Sequence, residues 1–170
     1  MLNLADIVTD SIVDGPGIRT TVFAQGCPHH CDGCHNPETW AFDCGTNVSP
    51  DEVLKIVKSN PLCRGVTFSG GEPFAQAAEF AVLAALLKEN GYEVASYSGY
   101  TFEALLNGTE AQKALLHHID VLIDGPYIAA QRSLTLNFRG SKNQRVLNVP
   151  QSLAAGCAVL ENSPRWLGTY

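Results

Sequence analysis

Gly65-Val-Thr-Phe-Ser69, then Gly70-Gly71-Glu72-Pro73, then an apolar stretch that runs to Asn90 and closes on Gly91: this passage of the 170-residue chain decides the fold. The β-branched and aromatic residues of its first segment predict a strand. Glu72 to Asn90 carries apolar residues at helical spacing and meets a glycine where a helix commonly ends. The passage is therefore a strand-loop-helix unit. Upstream, Arg19-Thr-Thr-Val-Phe-Ala24 predicts another strand, running into Gln25-Gly26. Ser49-Pro-Asp-Glu52 has an N-cap serine, a proline at the first helical position and a glutamate at the third, so a helix is expected over 50–59. Downstream, Tyr92 to Tyr97 predicts a third strand, followed by a helix from Thr101 and another ending near His118, with His117-His118 as its C-terminal capping pair. Ile119 to Asp124 reads as a buried fourth strand and Gln144 to Val149 as a fifth. Asp124 to Lys142 is irregular and is expected to be a functional loop. Alternation at this spacing predicts a mostly parallel α/β sheet with right-handed crossovers, either open and doubly wound or part of a barrel.

Length and composition narrow the possibilities. One domain over 1–170 suffices, since a chain of this size buries about 70% of its unfolded surface. Hydrophobic residues at 45% and charged residues at 16% are those of a globular protein. The net charge is -6 and the eleven Lys and Arg are scattered, which argues against nucleic acid as a partner. Asp6 and Asp10 stand where a secretory signal carries positive charge, and the longest apolar run, ending at Leu87, falls far short of the roughly 20 residues that span a bilayer. A cytoplasmic protein without membrane contact is expected. In a reducing compartment its six cysteines are thiols or metal ligands rather than disulfides.

The Gly-rich and polar segments Gly26 to Pro37, Ser69 to Pro73, Ser98-Gly99 and Asp124-Gly125 each follow a predicted strand. In parallel α/β folds that is the carboxyl edge, where ligands bind, so the four are expected to converge. In the first of them, Cys27-Pro-His-His-Cys31-Asp-Gly-Cys34 offers three thiols on one loop. Thiolate is the ligand that iron–sulfur chemistry demands, and three of them leave one corner of a cubane cluster open to a substrate. A Cys3His zinc site with His29, His30 or His35 as fourth ligand is the alternative. Cys44, Cys63 and Cys157 lie far apart and read as small buried hydrophobes.

Asp14-Gly-Pro-Gly-Ile-Arg-Thr-Thr-Val-Phe-Ala-Gln-Gly-Cys27, Cys31, Cys34-His-Asn-Pro-Glu-Thr-Trp40 and Ser69-Gly-Gly-Glu-Pro73 together resemble the activating enzymes of glycyl-radical proteins, a branch of the radical S-adenosylmethionine (SAM) superfamily. Leu122-Ile-Asp-Gly-Pro-Tyr127 and Phe138-Arg-Gly-Ser-Lys-Asn-Gln-Arg145 are similar to the group that activates anaerobic ribonucleoside-triphosphate reductase. The resemblance covers about residues 6 to 149. It implies a partial, incomplete (β/α) barrel of the radical SAM type with about five to six mostly parallel strands. It also implies a [4Fe–4S] cluster on Cys27, Cys31 and Cys34 and SAM on the open iron. One-electron cleavage of SAM to a 5′-deoxyadenosyl radical would then create a glycyl radical on the reductase, with flavodoxin or a similar donor as the electron source.

The same resemblance places the backbone of Gly33, Cys34 and His35 against SAM and Gly70-Gly71 at its methionine part. Glu72 is expected to accept from the SAM ammonium, to stabilise the first turn of its helix, or both. Many radical SAM proteins carry an aromatic residue before the third cysteine, where this chain has Gly33, so an adenine platform has to come from elsewhere. His35 is one candidate, hydrogen bonding to a group that itself ligates the metal being its other reading. Ser98 and Asp124 either reach SAM or form turns. Arg19 either binds the SAM carboxylate or a partner, or is solvated, and Asp14 to Arg19 also reads as a Gly/Pro turn. Arg139 to Arg145 is expected near SAM or at the reductase interface, with an exposed polar loop as the alternative. Competing functions are an activase of another glycyl-radical enzyme such as pyruvate formate-lyase, a small-molecule radical SAM enzyme such as a 7-carboxy-7-deazaguanine synthase, and a zinc-binding interaction module.

Overall fold

The computed structural model describes residues 1–169. Numbered along the chain, its strands are β1 (Leu2–Ser11), β2 (Arg19–Ala24), β3 (Thr46–Val48), β4 (Gly65–Gly70), β5 (Glu93–Ser98), β6 (Val121–Asp124) and β7 (Arg145–Asn148). The helices are α1 (Pro50–Ser59), α2 (Ala77–Glu89), α3 (Phe102–Leu106), α4 (Glu110–His118), α5 (Val149–Ala155) and α6 (Pro164–Leu167). One open sheet contains all the strands, in the order β3-β1-β2-β4-β5-β6-β7.

The α/β alternation is as expected, but the count and direction of the strands are corrected. There are seven strands rather than five to six, because β1 and β3 add an antiparallel flank ahead of the first predicted strand. Only the pairings among β2, β4, β5 and β6 are parallel. The reason lies in the connections. A parallel neighbour requires a crossover, and α1, α2 and the α3–α4 pair supply one between each successive pair of these strands. Between β6 and β7 the only regular element is the short 3-10 turn Ala129–Gln131, so nothing carries the chain back across the sheet. Strand β7 therefore re-enters from the edge where β6 ended and runs antiparallel to it.

Strand alternation then separates two faces. Val22, Val66, Phe68, Val94, Leu122 and Leu147 point to one face, where they pack with residues of α1, α2, α4 and α5 such as Val53, Phe80, Leu83, Leu116 and Val149. Ala95, Val121 and Ile123 point to the other and meet Trp166 of α6 together with Tyr97, Phe138 and Val146. Helix α1 starts with a complete capping box: Ser49 Oγ accepts from the Glu52 N–H at 3.3 Å and Glu52 Oε2 accepts from the Ser49 N–H at 2.8 Å. Ser49→Ala is expected to remove about 1 kcal/mol. Thermal unfolding should register this as a fall in Tm of roughly 2–4 °C. Among the described residues no helix is long and apolar enough to cross a membrane.

Candidate functional site

Because β2, β4, β5 and β6 are parallel, their carboxyl ends share one sheet edge, and the segments that follow them meet there. The loop after β2 is clamped by the Pro37–Thr39 turn: the Gly26 N–H donates to the Thr39 carbonyl at 2.8 Å and the Cys27 N–H to the Trp40 carbonyl at 3.1 Å. From β4, the Gly71 N–H donates to the Ala24 carbonyl at 2.8 Å and the Glu72 N–H to the Gly26 carbonyl at 2.9 Å. A Cβ on Gly71 would stand 2.4 Å from Gly26 O, and one on Gly70, at φ +86°, 2.7 Å from Ala24 N. Both glycines are thus required by the close pass of two strand ends, a reason separate from any ligand.

Within the loop, Cys27 is buried while Cys31 and Cys34 are half-buried. The Cys34 N–H donates to the Cys31 carbonyl at 3.1 Å, and the Asn36 N–H points at Cys34 Sγ at 3.4 Å. Burial pushes the Cys27 thiol up. Among the described residues no three His, Cys, Asp or Glu side chains are gathered as a site for one metal ion. The three histidines considered as a fourth zinc ligand are engaged elsewhere: His29 on Glu72, His30 stacked on Trp40 at 4.7 Å and 5°, and His35 against Tyr127 at 5.0 Å. Three thiols on one loop, one already receiving an amide N–H, fit an iron–sulfur cluster as a donor set. A second observation points the same way. The Trp40 indole N–H, on the segment that clamps this loop, is buried without an acceptor, a cost that an anionic group beside it would relieve.

Glu72 is fully buried and ties the segments together. Its Oε1 accepts from the Phe74 N–H and Ser98 Oγ, both at 3.0 Å, and its Oε2 accepts from the Gly99 N–H at 2.8 Å and lies 2.7 Å from His29 Nε2. It also caps the 3-10 turn Pro73–Gln76 that precedes α2, the helix-start role expected of it. Glu72→Gln is expected to destabilise the protein by about 1–3 kcal/mol. Whichever way the new amide turns, its NH2 faces either the Phe74 or the Gly99 N–H, because only Ser98 and His29 can switch to accepting. A lowered Tm with an unchanged far-ultraviolet spectrum would register it.

The other predicted residues fall on both sides of this hub. Ser98 Oγ links Glu72 to the Tyr100 N–H. Asp124, almost fully buried, accepts from the Phe102 N–H at 2.8 Å and from Arg145 Nε at 3.0 Å, and the same guanidinium reaches Glu103. Gly33 and His35 are exposed at the rim. Gln144 knits the 139–145 loop to the site: its Oε1 accepts from the Gly140 and Ser141 N–H groups and its Nε2 donates to the Gly125 carbonyl at 3.1 Å. Arg19 overturns both of its readings. It is neither solvated nor at the ligand edge, but fully buried at the opposite end of β2, where it pairs with Glu93 at 2.8 Å. Cys63 is buried as expected, whereas Cys44 and Cys157 are exposed. His29 as a partner of Glu72 was not readable from the sequence, since 43 residues separate the two and neither carries a local signal.

Comparison with known proteins agrees with this chemistry. Residues 13–147 match the family model described as a 4Fe-4S single cluster domain. The anaerobic ribonucleoside-triphosphate reductase-activating protein of Vibrio cholerae serotype O1 is 37% identical over 141 residues, covering 78% of this chain and 89% of that protein. The protein of the same name from Haemophilus influenzae is 31% identical over 151 residues, with 84% and 96% covered. The pyruvate formate-lyase-activating enzyme of Clostridium pasteurianum is 36% identical over 129 residues, but these make up only 54% of it.

Proposed function

This chain belongs to the family of anaerobic ribonucleoside-triphosphate reductase-activating proteins, and on that footing we infer that it is a radical SAM enzyme that installs the glycyl radical of such a reductase. The reading is supported above all by three cysteines on one loop at the carboxyl edge of parallel strands, inside a matched 4Fe-4S domain. When bound, the cluster and SAM supply one-electron reductive cleavage and the hydrogen-atom abstraction that leaves the radical on a glycine of the partner.

Cys27, Cys31 and Cys34 would hold the cluster, and the Asn36 N–H, by donating to Cys34 Sγ, would draw charge from one thiolate. The main chain of Gly33, Cys34 and His35 and of Gly70-Gly71 borders the SAM position. Glu72 would accept a hydrogen bond from the SAM ammonium in exchange for one of its present partners. Of its four, Phe74 and Gly99 contribute backbone N–H groups and Ser98 is buried, so the half-buried His29 is the one free to swing away. Ser98 and Asp124 act at one remove, the first through Glu72 and the second by seating Arg145 and the start of α3. The open sheet, with α1 to α5 packed on one face and α6 on the other, is read as the partial barrel of the superfamily, acting as a single domain over 1–170 in the cytoplasm, with flavodoxin or a similar low-potential donor.

Anaerobic reconstitution, reduction with dithionite or flavodoxin, and addition of SAM with the reductase test this reading. A glycyl-radical doublet should appear on the reductase in electron paramagnetic resonance. Formation of deoxyadenosine with no doublet on the reductase would shift the target to another glycyl-radical enzyme or a small molecule, and colourless zinc-loaded protein would end the radical SAM reading altogether.

A further inference from the structure

Where many radical SAM proteins carry an aromatic residue before the third cysteine, this chain has Gly33, and an aromatic side chain from across the fold stands near it. Gly33 sits at φ +72°, in the left-handed region that a large side chain rarely adopts, so this backbone does not take a ring at position 33. Tyr127, from the irregular stretch after β6, stands beside that position. A Cβ on Gly33 would lie 3.7 Å from Tyr127 Cε1. On the opposite edge of the ring, a Cβ on Gly140 would lie 3.1 and 3.2 Å from Cδ2 and Cε2. The ring thus lies between the positions of two glycines, and a side chain at 140 would crowd it. Its aromatic neighbour His35 stands 5.0 Å away between ring centroids and tilted at 51°, and the Tyr127 side chain belongs to a residue only partly buried. The support comes from the 139–145 loop: Asn143 Nδ2 donates to the Pro126 carbonyl at 2.8 Å and Ser141 Oγ accepts from the Ile128 N–H at 3.2 Å, bracketing Tyr127 in sequence.

We propose that Tyr127 is the stacking platform for the adenine of SAM, and that Gly140 and the loop around it serve to hold that ring over Gly33 and His35. This joins the Leu122–Tyr127 and Phe138–Arg145 segments in one task, and it rests on the reading that SAM binds at the cysteine loop. A single base-on-aromatic stack strengthens binding by roughly 5-fold to 150-fold.

The test measures binding to reconstituted wild type, Tyr127→Phe, Tyr127→Leu and Gly140→Ala by equilibrium dialysis under anaerobic conditions, with SAM and with methionine, which shares the amino-carboxylate end but has no base. Tyr127→Phe should bind SAM as wild type does. Tyr127→Leu should keep its iron and its methionine affinity but bind SAM at least about fivefold more weakly. Gly140→Ala, which crowds the ring, should weaken SAM in the same selective way. Wild-type SAM affinity in Tyr127→Leu would overturn the proposal, as would equal losses of SAM and methionine, which would mark Tyr127 as a scaffold for the loop. Cluster-loaded wild type that binds no SAM would instead remove the underlying reading, and is recognised because it is seen without any substitution.

Discussion

Cys31→Ala or Cys34→Ala protein, reconstituted without oxygen, is expected to retain no four-iron cluster and to form no glycyl radical, while its unfolding free energy stays within about 0.5 kcal/mol of the parent. The separation of effects follows from where the thiols sit. Both side chains are half-exposed on a loop whose shape is fixed by backbone hydrogen bonds of its neighbours, Gly26 to Thr39, Cys27 to Trp40 and Glu72 to Gly26, and none of these involves a thiol. Removing one sulfur leaves the sheet untouched, but on the proposed three-cysteine reading it would strip one of three protein ligands from the cluster. Cys27→Ala should lose iron in the same way and lose some stability as well, since that residue is buried. Cys44→Ala and Cys157→Ala provide the contrast, being exposed thiols outside the loop, and should load iron like the parent. Iron and sulfide analysis alongside thermal melts distinguishes the two sets. Retention of a full cluster by Cys34→Ala would remove the three-cysteine assignment.

What could be read from the chain is what its local chemistry dictates. Ser49-Pro-Asp-Glu52 contains its own cap, so α1 begins where the sequence places it. In β4, Val66 and Phe68 alternate with Thr67 and Ser69, and the two faces of the sheet follow. Strand β1 was hidden because Asn3, Asp6 and Asp10 are poor strand formers and its pairing with β2 is interrupted by register shifts, which break the alternation a reader looks for. Strand β3 is a three-residue edge with no signal of its own. The direction of β7 depends on the lack of a crossover helix rather than on its composition. The site was legible as a set of segments, since loops after parallel strands must share an edge. Its cross-connections were not, because Glu72 with His29 and His35 with Tyr127 are contacts between residues distant in sequence.

Arg19 shows how much stability such a distant contact carries, and Arg19→Met is expected to lower stability by about 3–5 kcal/mol. Fully buried, the guanidinium donates from Nε to Thr67 Oγ1 at 2.8 Å, from Nη1 to Glu93 Oε1 at 2.8 Å, and from Nη2 to the carbonyls of Val66 and Glu93 at 3.0 and 3.3 Å. Burial lowers its pKa, with the nearby Arg165 charge acting in the same direction and Glu93 opposing it. Thr67 in turn donates to the Asp14 carbonyl at 2.7 Å, so the turn before β2 is fastened to β4 through the same group. Trp166 lies against the guanidinium at 5.5 Å and Arg165 pairs with the free oxygen of Glu93 at 2.8 Å, so α6 docks on this ion pair. Methionine fills much of the space but leaves Glu93 with Arg165 as its remaining cation and takes the Arg19 donor from Glu93 Oε1, Thr67 Oγ1 and two carbonyls. At roughly 2–4 °C per kcal/mol for a chain of this size, Tm should fall by on the order of 10 °C. Arg19→Met with Glu93→Gln should recover part of the loss, a double-mutant cycle that reads the pair directly. The cluster site is the control: at about 3.3 Å per residue, β2 holds Arg19 roughly 16 Å from the loop that follows Ala24. Below the lowered Tm, Arg19→Met should still load iron and bind SAM as the parent does, whereas a specific loss of SAM affinity at full iron content would return Arg19 to the ligand.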